Sequence, residues 1–401
     1  MSIASPASLP PLPYHVELRD YLKTRERALW DWFSSAQARA DYAESLRLEL
    51  LKTAYRLGAE THADLHRLVE EAKAALELTV PVSLYQSQQP SPPNASLYYL
   101  PGEAHLVLAG PVLALLDTAE LKSLLGHELA HYRLFAVDGG EFHVADRLLA
   151  SVANDPRAAA SQVQSARRYR LYTEIFADRG SFRVTGDIHP VIASLVKIQT
   201  GLSQVSAVSY LEQAAEIFRK SRVKTEELSH PEAYIRTRAL ALWAADGPGA
   251  EPAIRDTIEG PLAMDDLDLP GQARLTRLTR QFLEHFLRPR WFQTEAVLGH
   301  AKLFFADFQP APSGGAASLE ELKSSDSRLR EYWCYLMLDF VSTAPELEEM
   351  PLAAALEFSR RLEIDALFEK LATKELKVRS RDLKRIKAEA ADLLTNAESQ
   401  P

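Results

Sequence analysis

The chain has 401 residues, of which 46% are apolar, with a net charge of −9. That much apolar content is ample for a buried core, and the length points to two or three compact units. The acidic balance argues against nucleic acid as a general partner, and a single cysteine, Cys334, excludes an internal disulfide.

In chain order, residues 1–14 are proline- and serine-rich and lack the basic and apolar regions of a secretory signal. Residues 15–75, rich in Leu, Ala, Glu, Arg and Lys, read as two or three helices packed on the unit that follows. Three strands are expected next, at 80–85, 97–100 and 104–108, with Pro101-Gly102 as the turn between the last two. The longest apolar stretch, Leu106 to Leu116, contains a Gly-Pro and is too short to span a bilayer.

From Thr118 to Leu134 a helix is expected, started by a capping box of Asp117 and Glu120. It carries His127-Glu128-Leu129-Ala130-His131, an H-E-x-x-H pattern. Residues four apart lie on one helical face, so both imidazoles can reach one ion, with Glu128 placed to act as general base. Such a motif arises by chance in a chain of this size at roughly a few per cent. A helix that is apolar on one side buries its histidines, however, and buried polar groups need partners; a metal is one.

Some forty residues on, Tyr172 to Arg179 form a second expected helix, in which Glu174 and Asp178 share a face. One carboxylate can bind zinc while the other accepts a hydrogen bond from a ligating histidine. A metzincin would need a glycine and a histidine where this chain has Leu134 and Val137, so a carboxylate third ligand remains.

With these residues in hand, positions 77–245 resemble the metallopeptidases of the HtpX and CAAX-prenyl-protease type (peptidase family M forty-eight). The resemblance rests on the H-E-x-x-H helix, the E-x-x-A-D run of Glu174 to Asp178, a His-Pro motif at Ser229-His230-Pro231 with Arg236 six residues after the histidine, and Asn94-Ala95-Ser96 before the active-site helix. It implies a gluzincin: one zinc ion held by His127, His131 and Glu174, and Glu128 taking a proton from the water that the zinc holds. His230 would stabilise the oxyanion, Arg236 would steady the site through Asp178 or Glu174, and Asn94, Ala95 and Ser96 would flank the substrate groove. Ser96 departs from the family pattern, which favours a larger residue there. The other pair, His189-Pro190, has Leu195 six residues on and reads as a helix start.

After Ala245 the composition becomes breaker-rich and acidic, so 246–271 is expected to be a linker. Beyond it, 272–401 read as a helical domain with a loop at 309–318. Residues 338–364 resemble, loosely, the helical TerB-like tellurite-resistance domains, and a generic helical bundle explains them equally well. The basic run Lys374 to Lys387, broken by Glu375 and Asp382, reads as a solvated helix face.

The expectation is a mainly α protein with a small β-sheet (α+β): 1–76 an N-terminal helical segment, 77–245 a zincin-like zinc metalloendopeptidase domain, 272–401 a helical C-terminal domain. It would act on peptide or protein substrates in the cytoplasm, without nucleic acid or a transmembrane segment, and its C-terminal helices could recruit a protein partner or self-associate. The alternative is a zinc-stabilised, latent or non-proteolytic binding protein that uses those helices to hold a partner.

Overall fold

A computed structural model describes residues 9–220, 233–260, 262, 264–310, 319–323 and 327–398. The chain divides into two units, Met1–Gly260 and Pro261–Pro401, and is mainly α with one small sheet. The first unit opens with helices α1 (Pro13–Arg25), α2 (Arg27–Ser34) and α3 (Ala36–Thr53), strand β1 (Ala54–Arg56) and α4 (Ala63–Ala75). Strands β2 (Val82–Ser87), β3 (Asn94–Leu100) and β4 (Glu103–Ala109) follow, then a short α5 (Val112–Leu115). The remaining helices are α6 (Thr118–Ala136), α7 (Glu141–Ala153), α8 (Ala160–Thr185), α9 (Ile188–Thr200), α10 (Ala207–Lys220), α11 (Ala233–Asp246) and α12 (Glu251–Glu259).

The sheet order is β1-β2-β4-β3; β2 and β4 run parallel and the other neighbours antiparallel. β3 is therefore an edge strand. It is joined to β4 by Pro101 and Gly102, with Gly102 at φ 85 as the second central residue of a type II turn requires. β1 lies where the sequence reads as helix. Its three residues form a strand because β2 offers them a partner, a tertiary effect without a local pattern.

Residues 247–259, expected to belong to a linker, are part of the first unit. Gly247–Ala250 make a 3-10 turn into α12, whose Ile254 and Ile258 are buried, and Glu251 pairs with Arg179 of α8. Leu269-Pro270-Gly271 likewise opens a helix, capped by Asp268. These prolines and glycines mark helix starts, where proline's missing N–H is not needed.

At the centre α6 crosses α8 at close range. A Cβ on Gly180 would lie 2.3 Å from the Ala130 Cβ, and one on Gly126 would lie 3.0 Å from Val184 and 3.3 Å from the Ser181 backbone. Small residues on both helices let the backbones approach, and buried hydroxyls lock the seam: Ser123 Oγ lies 2.7 Å from Ser181 Oγ and 3.2 Å from Ser194 Oγ. A buried ion pair, Lys197 to Glu120 at 2.8 Å, ties α9 to the start of α6. That start carries the full capping box: Asp117 accepts from the Ala119 and Glu120 N–H groups, and Glu120 accepts from Asp117 N–H. At the far end of α4, Arg133 and Arg183 donate to the Leu76 and Ala75 carbonyls and both pair with Glu77. Two guanidiniums thus satisfy carbonyls that a helix end leaves open.

His15 of α1 is wholly buried against Tyr169, Tyr172 and Phe176. Its Nδ1 accepts from Leu12 N–H, and its Nε2–H donates to Thr173 Oγ1, whose hydroxyl donates to the Tyr169 carbonyl. This pattern admits only the neutral ring, and burial pushes its pKa down to about 3.

The second unit contains α13 (Leu269–Phe286), α14 (Glu295–Phe304), α15 (Glu320–Lys323), α16 (Ser327–Thr343), α17 (Met350–Arg361), α18 (Asp365–Glu375) and α19 (Ser380–Glu398). It has its own core, in which Phe282 stacks on Trp333 at 5.0 Å and against Phe358. Cys334 lies in that core, its thiol pushed up to about 12 by burial, so it is an inert space-filler. Within the basic run, Lys374, Arg385 and Lys387 pair with Glu375, Glu349 and Glu369 on the surface. Residues 311–318 of the expected loop lie outside the described residues. Among the described residues no helix is long and apolar enough to cross a membrane.

Two outcomes follow from this packing. Gly180→Ala should lower stability by about 1–3 kcal/mol through overpacking. Gly299→Ala in α14, where nothing lies within 4 Å, should raise it by roughly 0.5–1 kcal/mol; urea midpoints of the two variants test the contrast. For His15 the unfolded chain binds the proton first, so its stabilising effect is complete above about pH 6.5 and declines as pH falls toward 3. The advantage of the parent over His15→Gln should therefore shrink by about 1.4 kcal/mol per pH unit below about pH 6. A difference that stays constant in denaturation at several pH values would show that His15 is not held neutral.

Candidate metal centre

His127 and His131 project from one face of α6, and Glu174 and Asp178 from one face of α8. Nε2 of His127 lies 3.2 Å from Nε2 of His131 and 3.4 Å from a Glu174 oxygen. Nε2 of His131 is 3.6 Å from the other Glu174 oxygen. One ligand atom from each of these three residues falls within 4.8 Å of the others, so together they can hold a metal ion. All three side chains are half-buried.

The surrounding contacts suit such an ion. Nδ1 of His127 lies 3.1 Å from Asp178 Oδ1, and a carboxylate can only accept. The Nδ1 proton therefore belongs to this hydrogen bond, and once Nε2 gives up its own proton its lone pair is directed toward His131 and Glu174. Arg236 of α11 grips Asp178 with two hydrogen bonds, at 2.8 and 2.6 Å, and reaches Glu174 with Nη1 at 2.8 Å. Asp178 is thus held from two sides and fixes the imidazole in turn.

Charge completes the fit. Glu128, Glu174 and Asp178 oppose the single guanidinium of Arg236 in a buried space, an excess of negative charge that one divalent cation would offset. Burial works against ionisation of Glu174, but Arg236 and the two histidines hold its carboxyl well below the usual range. Burial would lower His127 too, yet its contacts with Asp178 and Glu174 carry it up to about 10. His131, buried beside His127, is pushed down to about 4. The two rings thus share one proton between them, and that proton sits where a cation would compete for it.

Glu128, next to His127 on α6, is buried within electrostatic reach of His127, Glu174 and Arg236. Desolvation raises its carboxyl to about 7, against a hydrogen bond from the backbone N–H of Leu97. The hairpin register explains that contact. Leu100 pairs with Glu103 across the two-residue turn, and hydrogen-bonded pairs alternate from there through Tyr98, Ser96 and Asn94. Ala104 accordingly donates to Pro81 on the opposite side of β4. Ala95, Leu97 and Tyr99 thus turn their backbone N–H and C=O groups to the edge of β3 that faces away from β4. Of Asn94, Ala95 and Ser96, only Ala95 has its backbone at that edge; Asn94 and Ser96 are engaged with β4.

The sequence reading did not single out Leu97. A leucine carries no signal for a role played by its backbone, although the two-residue Pro-Gly turn fixes the register that places it. Asp146 of α7 was also unremarked: burial raises its carboxyl to about 6, within electrostatic reach of Arg170, Glu174 and Arg147. Asp187 caps the start of α9, its side chain accepting from the backbone N–H of His189. His230 lies outside the described residues.

Asp178→Asn should weaken metal binding by about 10–100-fold, because the amide cannot anchor the His127 tautomer as strongly. Competition with a chromophoric chelator measures this directly. An unchanged affinity would remove Asp178 from any role in orienting the ligand.

Residues 59–137 match Peptidase family M48, a span that takes in His127, Glu128 and His131. The chain is also similar to the plastoglobule-localized metallopeptidase 48, chloroplastic, of Arabidopsis thaliana, with 26% identity over 215 residues. That alignment covers 49% of this chain and 61% of the relative, so the chain spans less than two thirds of the relative's length. No solved structure matches the chain. Both likenesses are to metallopeptidases, and in this chain His127, His131 and Glu174 form a group able to hold a metal ion.

Proposed function

We propose that the chain is a zinc-dependent metalloendopeptidase of the HtpX and CAAX-prenyl-protease type. The observation that carries this reading is the convergence of His127, His131 and Glu174 beside a buried carboxyl, Glu128, next to the outermost strand of the described sheet. Two imidazoles and one carboxylate make a donor set suited to zinc. When bound, zinc supplies Lewis acidity, polarising a carbonyl and acidifying water.

The chain's own residues do the rest. An extended peptide would hydrogen-bond to the backbone of Ala95 and Tyr99, as a strand added to β3. Glu128, raised by burial to about 7, would accept the proton of the attacking water and hand it to the leaving amine; a base poised near the working pH is the efficient choice. Asp178 and Arg236 would keep His127 and Glu174 in place. His230 would donate to the developing oxyanion, a contribution of about 3–4 kcal/mol where such donors have been removed.

The lone buried thiol suits a reducing compartment, and the cytoplasm is the compartment proposed. For the second unit, which contains no metal-binding group among its described residues, we propose recruitment of a protein partner or self-association.

Glu128→Gln should retain zinc and lose about 10²–10⁴-fold in turnover of a quenched fluorogenic peptide. Equal turnover by variant and parent would refute the general-base assignment. Zinc binding without cleavage by the parent, across a diverse peptide library, would favour a non-catalytic binding protein instead.

A further inference from the structure

Arg179 follows Asp178 on α8 and is buried with its full charge. Its guanidinium lies over the Trp243 ring of α11, 3.9 Å from the centroid. The same group donates to both carboxylate oxygens of Glu251 in α12, at 2.5 and 3.2 Å. Three helices therefore meet on one side chain. A second tie joins α12 to α8, where the Tyr172 hydroxyl donates to Glu259 at 2.6 Å. Tyr172 and Arg179 are seven residues apart and share a face of α8, about 130° around the helix from Glu174 and Asp178.

Helix α11 is thus fixed to α8 at two places along its own length. One is Arg236, which bridges Asp178 and Glu174. The other is Trp243, seven residues on, about 10 Å along the axis and on the same face. Arg236 can reach both carboxylates only while the backbone of α11 keeps its distance and its rotation. Apolar packing of Ile235, Ala239 and Leu240 holds α11 in the core but has no direction of its own. The planar guanidinium of Arg179 has one, because it must meet a ring on α11 and a carboxylate on α12 together.

We propose that Arg179 is a positioning residue of the metal centre, holding α11 where Arg236 can bridge Asp178 and Glu174. The proposal rests on the zinc site described above. Among the described residues no hydrogen bond or ion pair joins Arg179 to a metal ligand, so its effect travels through Arg236. From Arg236 it passes to Glu174 directly, and to His127 by way of Asp178. Glu251 shares in the effect because it fixes the guanidinium from the side away from Trp243.

Arg179→Ala removes a buried charge and tests folding as much as position. Arg179→Lys keeps the charge and loses the planar fork. Full-length variants and parent are compared by competition for zinc against a chromophoric chelator, and in their metal-free forms by urea unfolding. Arg179→Lys should weaken zinc binding about tenfold, and Glu251→Gln, which keeps one acceptor, about threefold. Arg236→Lys should weaken it too, and adding Arg179→Lys to that variant should change the affinity by no more than about twofold. With cobalt in place of zinc, the visible absorption of Arg179→Lys should shift from the parent's in the same sense as that of Arg236→Lys. If Arg179→Lys does not fold, the cycle of Glu251→Gln with Arg236→Lys has the same two outcomes. Lower stability with parental zinc affinity and cobalt spectrum overturns the proposal and leaves Arg179 a structural residue only. Full additivity in the double variant overturns it as well, since the effect would then bypass Arg236. Failure of the parent to bind zinc removes the metal site together with the proposal.

Discussion

The contact between Ala130 and Gly180 is the constraint on which the rest of the first unit depends. With no side chain at 180, α8 can lie against α6 at a distance that any Cβ would forbid. At that distance Glu174, just under two turns earlier on α8, meets Nε2 of both histidines, and Asp178 meets Nδ1 of His127. Side chains of this length cannot make up for an added spacing of an ångström or more, so the ligand geometry is set by backbone approach. The serine contacts and the Glu120–Lys197 pair hold that approach along α6.

Electrostatics then divides the labour among three acids that differ little in chemistry. Glu174 and Asp178 face Arg236 and remain ionised, one turned to the imidazole lone pairs and the other to an imidazole N–H. Glu128 lies on the same helix as the histidines but farther from the guanidinium, and burial dominates its titration. A carboxyl that gains and loses a proton near neutrality therefore stands next to two that do not. This separation of roles comes from environment alone.

Much of this was legible in the amino-acid order. The H-E-x-x-H run, the Asp117–Glu120 box and the four-residue spacing of Glu174 and Asp178 are all periodic signals within one helix, and periodic signals read well. What escaped notice depends on pairing across the fold. β1 exists because β2 is beside it, and nothing in Ala54-Tyr55-Arg56 distinguishes it from the end of α3. The breaker-rich stretch after Ala245 resembles a linker because glycine and proline mark helix starts and linkers alike; burial of Ile254 and Ile258 decides between the two.

The open side of β3 also has a bearing on solubility. Unpaired main-chain donors and acceptors on a strand invite a neighbouring molecule to stack on indefinitely, as in fibrils. Here Pro92 and Pro93 stand immediately before Asn94, and Pro101 immediately after Leu100. Proline cannot continue a ladder, so these three residues confine any visiting strand to a seven-residue window. A surface so bounded can receive a short guest while denying a longer strand a continuous ladder.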